Sequence, residues 1–201
     1  MKVRYITIER EYGSGGTEIA RGLSDETGIP CYGKEILEHT SQKLAQSVEQ
    51  IQEQEENMVS SFLYTVYLLG KAHNGDGNML TSDGAVFVAE QESIRKLAAG
   101  GRGVFVGHCA SEALKEYPGV VKVFIRCSDT AAKNDRITRE YGIPAEKAEA
   151  TRKKFDHKRA HYYHCNTGKH WDDLGQYDLV LDSGVLGIDG CVKTLKGLLD
   201  G

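Results

Sequence analysis

The segment Tyr12-Gly-Ser-Gly-Gly-Thr17 constrains this chain more than any other, because of what stands on either side of it. Before it, Tyr5-Ile6-Thr7-Ile8 alternates and is rich in β-formers, which predicts a short first strand. After it, Ile19, Ala20 and Leu23 share one helical face, with Gly28 as the predicted stop and Pro30 just beyond. A strand, a glycine turn and a helix in that order open a βαβ unit. Such a turn aims several backbone N–H groups at one anion, and the helix N-terminus adds roughly half a positive charge. Gly13, Ser14, Gly15, Gly16 and Thr17 are therefore the expected holders of a phosphate, and Ser14 or Thr17 has the hydroxyl to ligate Mg²⁺. The pattern departs from a strict Walker A sequence. Aligned on Gly13-Ser14-Gly15, the lysine position holds Gly16 and the position of the first glycine holds Arg10. A loop lysine offsets charge on the β- and γ-phosphates, so its absence either shifts that task to another cation, with Arg10, Arg136, Arg139 and Arg159 as candidates, or removes efficient catalysis.

The rest of the chain alternates strand and helix signals. Lys34 to about Leu69 has Leu37, Leu44, Val48 and Ile51 at helical spacing, Asn74-Gly-Asp-Gly77 marks a loop, and Asp83 to Ala99 is helical again. Val104-Phe-Val106 and Val121-Lys-Val-Phe-Ile125 are short apolar runs of the kind parallel strands show. Ser128-Asp129 caps a helix to Tyr141, Gly142-Ile-Pro144 breaks it, and a further helix runs from Ala145 to about Tyr163. Leu179-Val-Leu181 is a last strand and Ile188 to Leu199 a closing helix. This order predicts an α/β fold with a parallel sheet covered on both faces. Ligands in such sheets sit beyond the carboxyl ends of the strands, which here read Glu9–Gly16, Gly107–Cys109, Arg126–Ser128 and Asp182–Ser183.

Bulk properties narrow the function classes. With 40% hydrophobic and 27% charged residues, the chain has the material for one ordinary core, and 201 residues suit a single domain. A net charge of -4 gives no global basic field, so nucleic acid and membrane partners are not expected and any anion site is a local cluster. No run of 18 apolar residues occurs, which argues against a membrane span, and the N-terminus enters a strand pattern without the apolar stretch of a signal peptide. The cysteines Cys31, Cys109, Cys127, Cys165 and Cys191 are scattered and lack a CxxC pair, so reduced thiols and a cytoplasmic location are the expectation.

The local cationic cluster lies near the end of the chain. Arg152, Asp156, Arg159 and Tyr163 are spaced 4, 3 and 4 apart and share one helical face. Two guanidinium forks there suit bidentate phosphate recognition, with Asp156 bracing one of them. Arg136 and Arg139 stand three apart on the preceding helix, so two cationic helices flank a loop in the manner of a lid closing over phosphates. A solvated charged face is the alternative. His157, His161 and His164 with Cys165 also have a spacing that could hold Zn²⁺, although the surrounding cations oppose a divalent metal.

Taken together, Ile8-Glu-Arg-Glu-Tyr-Gly-Ser-Gly-Gly-Thr17, Ile29-Pro-Cys-Tyr-Gly-Lys-Glu-Ile36, Val106-Gly-His-Cys-Ala110, the Asp156-x-x-Arg159 helix, Tyr162-Tyr163 with Thr167-Gly168 and Trp171, and Tyr177-Asp-Leu-Val-Leu-Asp-Ser183 resemble the cytidylate kinase-like family in the expected order. The resemblance implies a P-loop nucleoside monophosphate kinase fold: one domain over 1–201, a helical insertion at about 34–78 and a lid-like region at about 129–165. It implies transfer of the γ-phosphoryl group of Mg·ATP to a nucleotide substrate, CMP or dCMP. By position, Gly13 to Thr17 would hold the donor phosphates, and Arg136 and Arg139 resemble lid arginines. Asp156 and Arg159 resemble the pair that contacts the acceptor, with Lys34, His108, Arg152 and Asp182 as further acceptor-side residues. Gly16, Gly33 and the pair His108-Cys109 depart from the lysine, aspartate and Arg-Asp usual in cytidylate kinases. Those departures leave two alternatives: a nucleotide-binding sensor without transfer activity, and a kinase for another small phosphate acceptor. Phe62, Tyr64, Val66 and Tyr67 would pack internally or against a partner in a homodimer.

Overall fold

The computed structural model describes residues 2–57 and 82–199. The later part of the expected insertion, with Phe62, Tyr64, Val66, Tyr67 and the Asn74–Gly77 loop, lies outside the described residues. The elements are β1 (Tyr5–Arg10), α1 (Gly16–Thr27), β2 (Cys31–Tyr32), α2 (Lys34–Leu44), α3 (Val48–Asn57), α4 (Ser82–Ala98), β3 (Gly103–Val106), α5 (Ala110–Ala113), β4 (Val120–Arg126), α6 (Thr130–Tyr141), α7 (Ala145–Thr167), a 3₁₀ turn (Leu174–Gln176), β5 (Leu179–Asp182) and α8 (Ser183–Leu199). The five strands form one parallel sheet in the order β2-β3-β1-β4-β5, as the alternation of elements predicts.

Strand order places β1 at the centre, hydrogen-bonded to β3 on one side and β4 on the other. Its two faces feed different layers because side chains alternate along a strand. Ile6 and Ile8 pack with Ile19, Leu23, Val192 and Leu195 of α1 and α8. Tyr5 joins Ile94, Phe105 and Leu114 on the opposite face, while Trp171, Tyr177, Phe124 and Phe87 fill the space under α7. Burial of these side chains stabilises the fold by roughly 2 kcal/mol each before chain entropy is offset.

Three differences from the sequence expectations have local causes. The helix expected from Lys34 onward breaks after Leu44, where Ala45 takes a left-handed φ of 53°. Ser47 and Gln50 then start α3 with a reciprocal cap: Ser47 Oγ accepts from the Gln50 N–H at 3.2 Å, and Gln50 Oε1 accepts from the Ser47 N–H at 2.9 Å. Helix α7 runs one turn past Tyr163, ending at Gly168 in the left-handed region. The closing helix begins earlier than Ile188, but Gly187 interrupts it with φ 69° and ψ 171°, so Ser183–Leu186 is a separate turn.

Candidate active site

The carboxyl end of β1 runs into the glycine loop, and nearly every polar group there is tied down. Gly13 and Gly15 have φ of 77° and 78°, values that disfavour any side chain. Ser14 is fully buried; its Oγ donates to Glu11 O at 2.8 Å, and its own carbonyl accepts from Ser183 Oγ at 2.6 Å. Glu11 reaches across to β4 and α6, accepting from the Cys127 N–H and from Lys133 Nζ, both at 2.9 Å. Tyr12 donates its backbone N–H to Asp156 Oδ1 at 2.6 Å, and its ring lies between Phe155 and Tyr141 with centroids 4.5 and 5.0 Å away. The loop is thereby clamped against both α6 and α7.

Arginines complete the clamp. Arg159 Nη1 donates to Arg10 O at 2.8 Å with its guanidinium 5.4 Å from the Tyr12 ring centre, and Arg136 Nη1 donates to Gly13 O at 2.5 Å. Arg136 also lies 3.7 Å from Glu140 and 4.0 Å from Glu18. Burial and then the neighbouring Arg10 cation lower the Arg159 pKa to about 10, which leaves it charged at neutral pH. Burial raises the Asp156 carboxyl above its ordinary value, against the opposing pull of the Tyr12 N–H and Arg159. Of the two hydroxyls proposed for Mg²⁺, Ser14 is spent on Glu11 O, whereas Thr17 is half-buried and lines the mouth of the loop.

Beyond the loop, between β1, β3, α2, α3 and α7, opens a cleft of about 960 Å³. Arg10, Arg21, Lys34, Lys158 and Arg159 line it against the carboxylates Glu9 and Glu35, so this cleft is cationic in a chain of net charge -4. Burial raises the pKa of Glu9 against the opposing pull of Arg10, and Trp171 Nε1 donates to its Oε2 at 3.3 Å. Arg10, Thr17 and Arg159 line both the cleft and the mouth of the glycine loop.

The third wall is the end of β3, where Gly107, His108 and Cys109 take left-handed φ of 76°, 55° and 51° in succession. Two non-glycine residues in that region cost about 1 to 3 kcal/mol each, so something must hold them there. Gln91 Nε2 donates to His108 O at 3.0 Å, and His108 Nδ1 lies 3.0 Å from Glu90 Oε1. Glu90 is fully buried and also accepts from the Tyr162 hydroxyl. A carboxylate from α4 thus fixes the His108 ring at the cleft edge.

Arg10, Lys34, His108 and Arg159 all line the cleft, and Gly13, Gly15, Gly16 and Thr17 the loop mouth, while Asp156 sits behind the loop and binds its backbone. Arg152 stands behind Asp156, 3.9 Å from it, with its Nε buried and lacking a hydrogen-bond partner. Arg136 supports the loop. Arg139 and Asp182 do not line the cleft. Arg139 is exposed and pairs with Asp135 one turn back on α6 at 2.8 Å. Asp182 belongs to the edge strand β5, accepting from the Ser128 and Gly184 N–H groups and facing Arg126 at 3.3 Å. Glu9, Glu90, Arg21 and Lys158 were not legible as site residues; Glu9 could have been found, since an acid in an otherwise apolar central strand needs a reason. Among the described residues no group of three or more metal-ligating side chains occurs; His161 and Cys165 approach each other to 3.5 Å but His164 turns toward His170.

A model of the cytidylate kinase-like family matches residues 5–185. A search of curated proteins finds no match to the chain. Among solved structures, an uncharacterized protein from Eubacterium ventriosum is 24% identical with a TM-score of 0.69, the alignment covering 98% of this chain and 99% of that one. A sugar kinase from a Janibacter species is 17% identical at a TM-score of 0.55, covering 98% and 95% of the two chains. A shikimate kinase from Bacteroides thetaiotaomicron is 14% identical at 0.54, covering 98% and 99%. At these identities the likeness is one of fold.

Proposed function

The chain belongs to the cytidylate kinase-like family, and from that premise we propose that it is a phosphotransferase moving the γ-phosphoryl group of ATP to a nucleoside monophosphate, CMP or dCMP first. One observation carries this reading: a cationic cleft of nucleotide size opens directly onto the glycine loop, and Arg10, Thr17 and Arg159 border both. Donor phosphates on the loop and an acceptor phosphate in the cleft would meet at those three residues.

In the reaction the bond between the γ-phosphorus and the β,γ-bridging oxygen breaks and a bond to an acceptor oxygen forms; an ionised acceptor phosphate has no proton to give up. The protein's work is therefore positioning and charge neutralisation. The loop N–H groups and the N-terminus of α1 face the donor phosphates, and Arg159 spans donor and acceptor. Mg²⁺ bound with ATP would offset charge on the β- and γ-phosphates, and Thr17 is the hydroxyl suited to hold it. Residues 34–57 form the acceptor wall of this reading, and residues 129–165 the lid over the donor, its two helices already stacked on Tyr12. No helix among the described residues is long and apolar enough to cross a membrane.

The test is direct detection of nucleoside diphosphates after incubation with Mg·ATP and a mixture of nucleoside monophosphates. CDP formation, reduced at least tenfold in kcat/KM by Arg159→Ala (about 1.4 kcal/mol of transition-state stabilisation), is the expected result. A protein that nucleotides stabilise against heat but that forms no product would instead favour a nucleotide sensor or a different acceptor.

A further inference from the structure

We infer that Arg10 and Gly16 are an exchanged pair: the cation that a phosphate loop ordinarily carries at the start of its helix is delivered here from the last residue of β1, across a glycine that must stay bare to let it through. This rests on the phosphotransferase reading and adds which group does the lysine's work.

Three observations point the same way. The first is the path of the Arg10 side chain. Ile6, Ile8 and Arg10 share one face of β1, the face that α1 covers, so Arg10 must pass the first turn of α1. It does so at Gly16, the first residue of that helix, where an added Cβ would stand 2.6 Å from Arg10 Cβ and 2.8 Å from Cγ. Those atoms belong to the root of the side chain and have no freedom to swing aside. The second observation is at the other end of the same side chain. A Cβ on Gly107, at the close of β3, would lie 2.2 Å from Arg10 Nη1. Two glycines from different parts of the chain thus line one channel, and Arg10 fills it from root to tip. The third is polar. Among the described residues Arg10 Nε is buried without a hydrogen-bond partner, and Arg10 lines both the loop mouth and the cleft. Buried N–H groups of a cation are ordinarily satisfied, and an anion held beside Arg10 at the junction of loop and cleft would supply the missing partner. Arg159 adds a second guanidinium close enough to feel the Arg10 charge, and an anion between them relieves that repulsion.

A lysine at 16 and an arginine at 10 are therefore mutually exclusive: the space at the start of α1 admits one root or the other. The loop is not a degraded lysine loop but one with its cation moved. An arginine fork in place of an ammonium presents two N–H groups to phosphate oxygens in one plane, and in the lysine's role, on the β- and γ-phosphates, it would contact a group that ADP lacks.

Four variants test the pair: Arg10→Gly, Gly16→Lys, the double variant Arg10→Gly/Gly16→Lys, and Gly16→Ala, which adds the Cβ alone. Each is measured for Tm without nucleotide, for ATP and ADP affinity by calorimetry, and for diphosphate formation. We expect Gly16→Lys and Gly16→Ala to lower Tm or prevent folding, and the double variant to return Tm to that of Arg10→Gly. Arg10→Gly should weaken ATP at least tenfold with less effect on ADP, and the double variant should regain most of that loss. Gly16→Lys with unchanged Tm, or Arg10→Gly with unchanged ATP affinity in a protein whose wild type binds ATP, would overturn the exchange and leave the phosphotransferase reading standing. Failure of the wild type to bind ATP would overturn both.

Discussion

The two ends of the cleft are built on different plans. At the donor end the backbone of the glycine loop is held from four directions: by Asp156 on the Tyr12 N–H, Arg159 on Arg10 O, Arg136 on Gly13 O and Ser183 on Ser14 O. At the acceptor end the charged groups rest on side-chain pairs. The Lys34 side chain is 79% exposed and pairs with Glu38 one turn along, and Glu35 turns back to accept from the Gly33 N–H at 3.2 Å. His108, clamped by Glu90, is fixed there by a buried carboxylate. A triphosphate is the same in every such enzyme, so its site can be rigid, whereas the acceptor side has few constraints and can change without disturbing the fold.

The largest expected effect is at the donor end. Asp156→Ala removes the acceptor for the Tyr12 N–H and leaves Arg152 and Arg159 without their shared carboxylate. A loss of about 3 kcal/mol in unfolding free energy is expected, together with weakened ATP binding. Chemical denaturation with and without ATP reads both; a change below about 1 kcal/mol would mean that the loop holds itself and that the contrast between the two ends is overstated.

Next is Glu90→Gln, which keeps the volume but removes the charge facing His108 and the strong acceptor for the Tyr162 hydroxyl. About 1 to 2 kcal/mol of stability should be lost. In activity the change should fall on the KM for the phosphate acceptor with the KM for ATP unaltered. Equal changes in both would show that the strained Gly107–Cys109 turn belongs to the donor site as well.

The donor end was legible in the sequence because backbone demands leave marks there. Gly13 and Gly15 are glycine where φ is positive, and the strand before them alternates cleanly. The arginine partners were legible only as a set: spacing put Arg152, Asp156 and Arg159 on one face of α7, but not that Asp156 would turn to the loop backbone. Arg139 and Asp182 show the limit of positional reasoning. Both stand where the family pattern suggests a role, yet an exposed pair with Asp135 on α6 and a place on the edge strand engage them elsewhere. The acceptor wall was the least legible: His108 was marked by the family pattern, but its partner Glu90 on α4 and Glu9 on β1 were not, and no local periodicity encodes their meeting.

Glu9 offers a test by pH. Its folded-state pKa is raised by burial, so the native protein holds this proton more tightly than the unfolded chain. The stabilisation linked to the proton is complete below the ordinary value of 4.5 and is lost as pH rises through the raised folded value. Glu9→Gln, which keeps an oxygen to accept from Trp171 Nε1, should therefore remove part of the fall in Tm between about pH 4.5 and neutral pH. Parallel Tm curves for wild type and variant across that range would show that Glu9 is ionised at no penalty, with Arg10 and Arg159 as sufficient partners.

The smallest structural effect with a distinct functional one is expected at Lys34. Its pair with Glu38 is exposed and adjacent on one helix, an arrangement that contributes little to stability, so Lys34→Ala should leave Tm unchanged within error. If the acceptor carries a phosphate, losing a cation from the cleft should raise its KM several-fold, most visibly at low salt, where screening is weakest. ATP affinity should stay as it was, because no part of the loop touches Lys34. An uncharged acceptor would leave both constants unmoved. The salt dependence of this one variant therefore separates a nucleotide acceptor from a neutral alcohol, without presupposing which nucleotide it is.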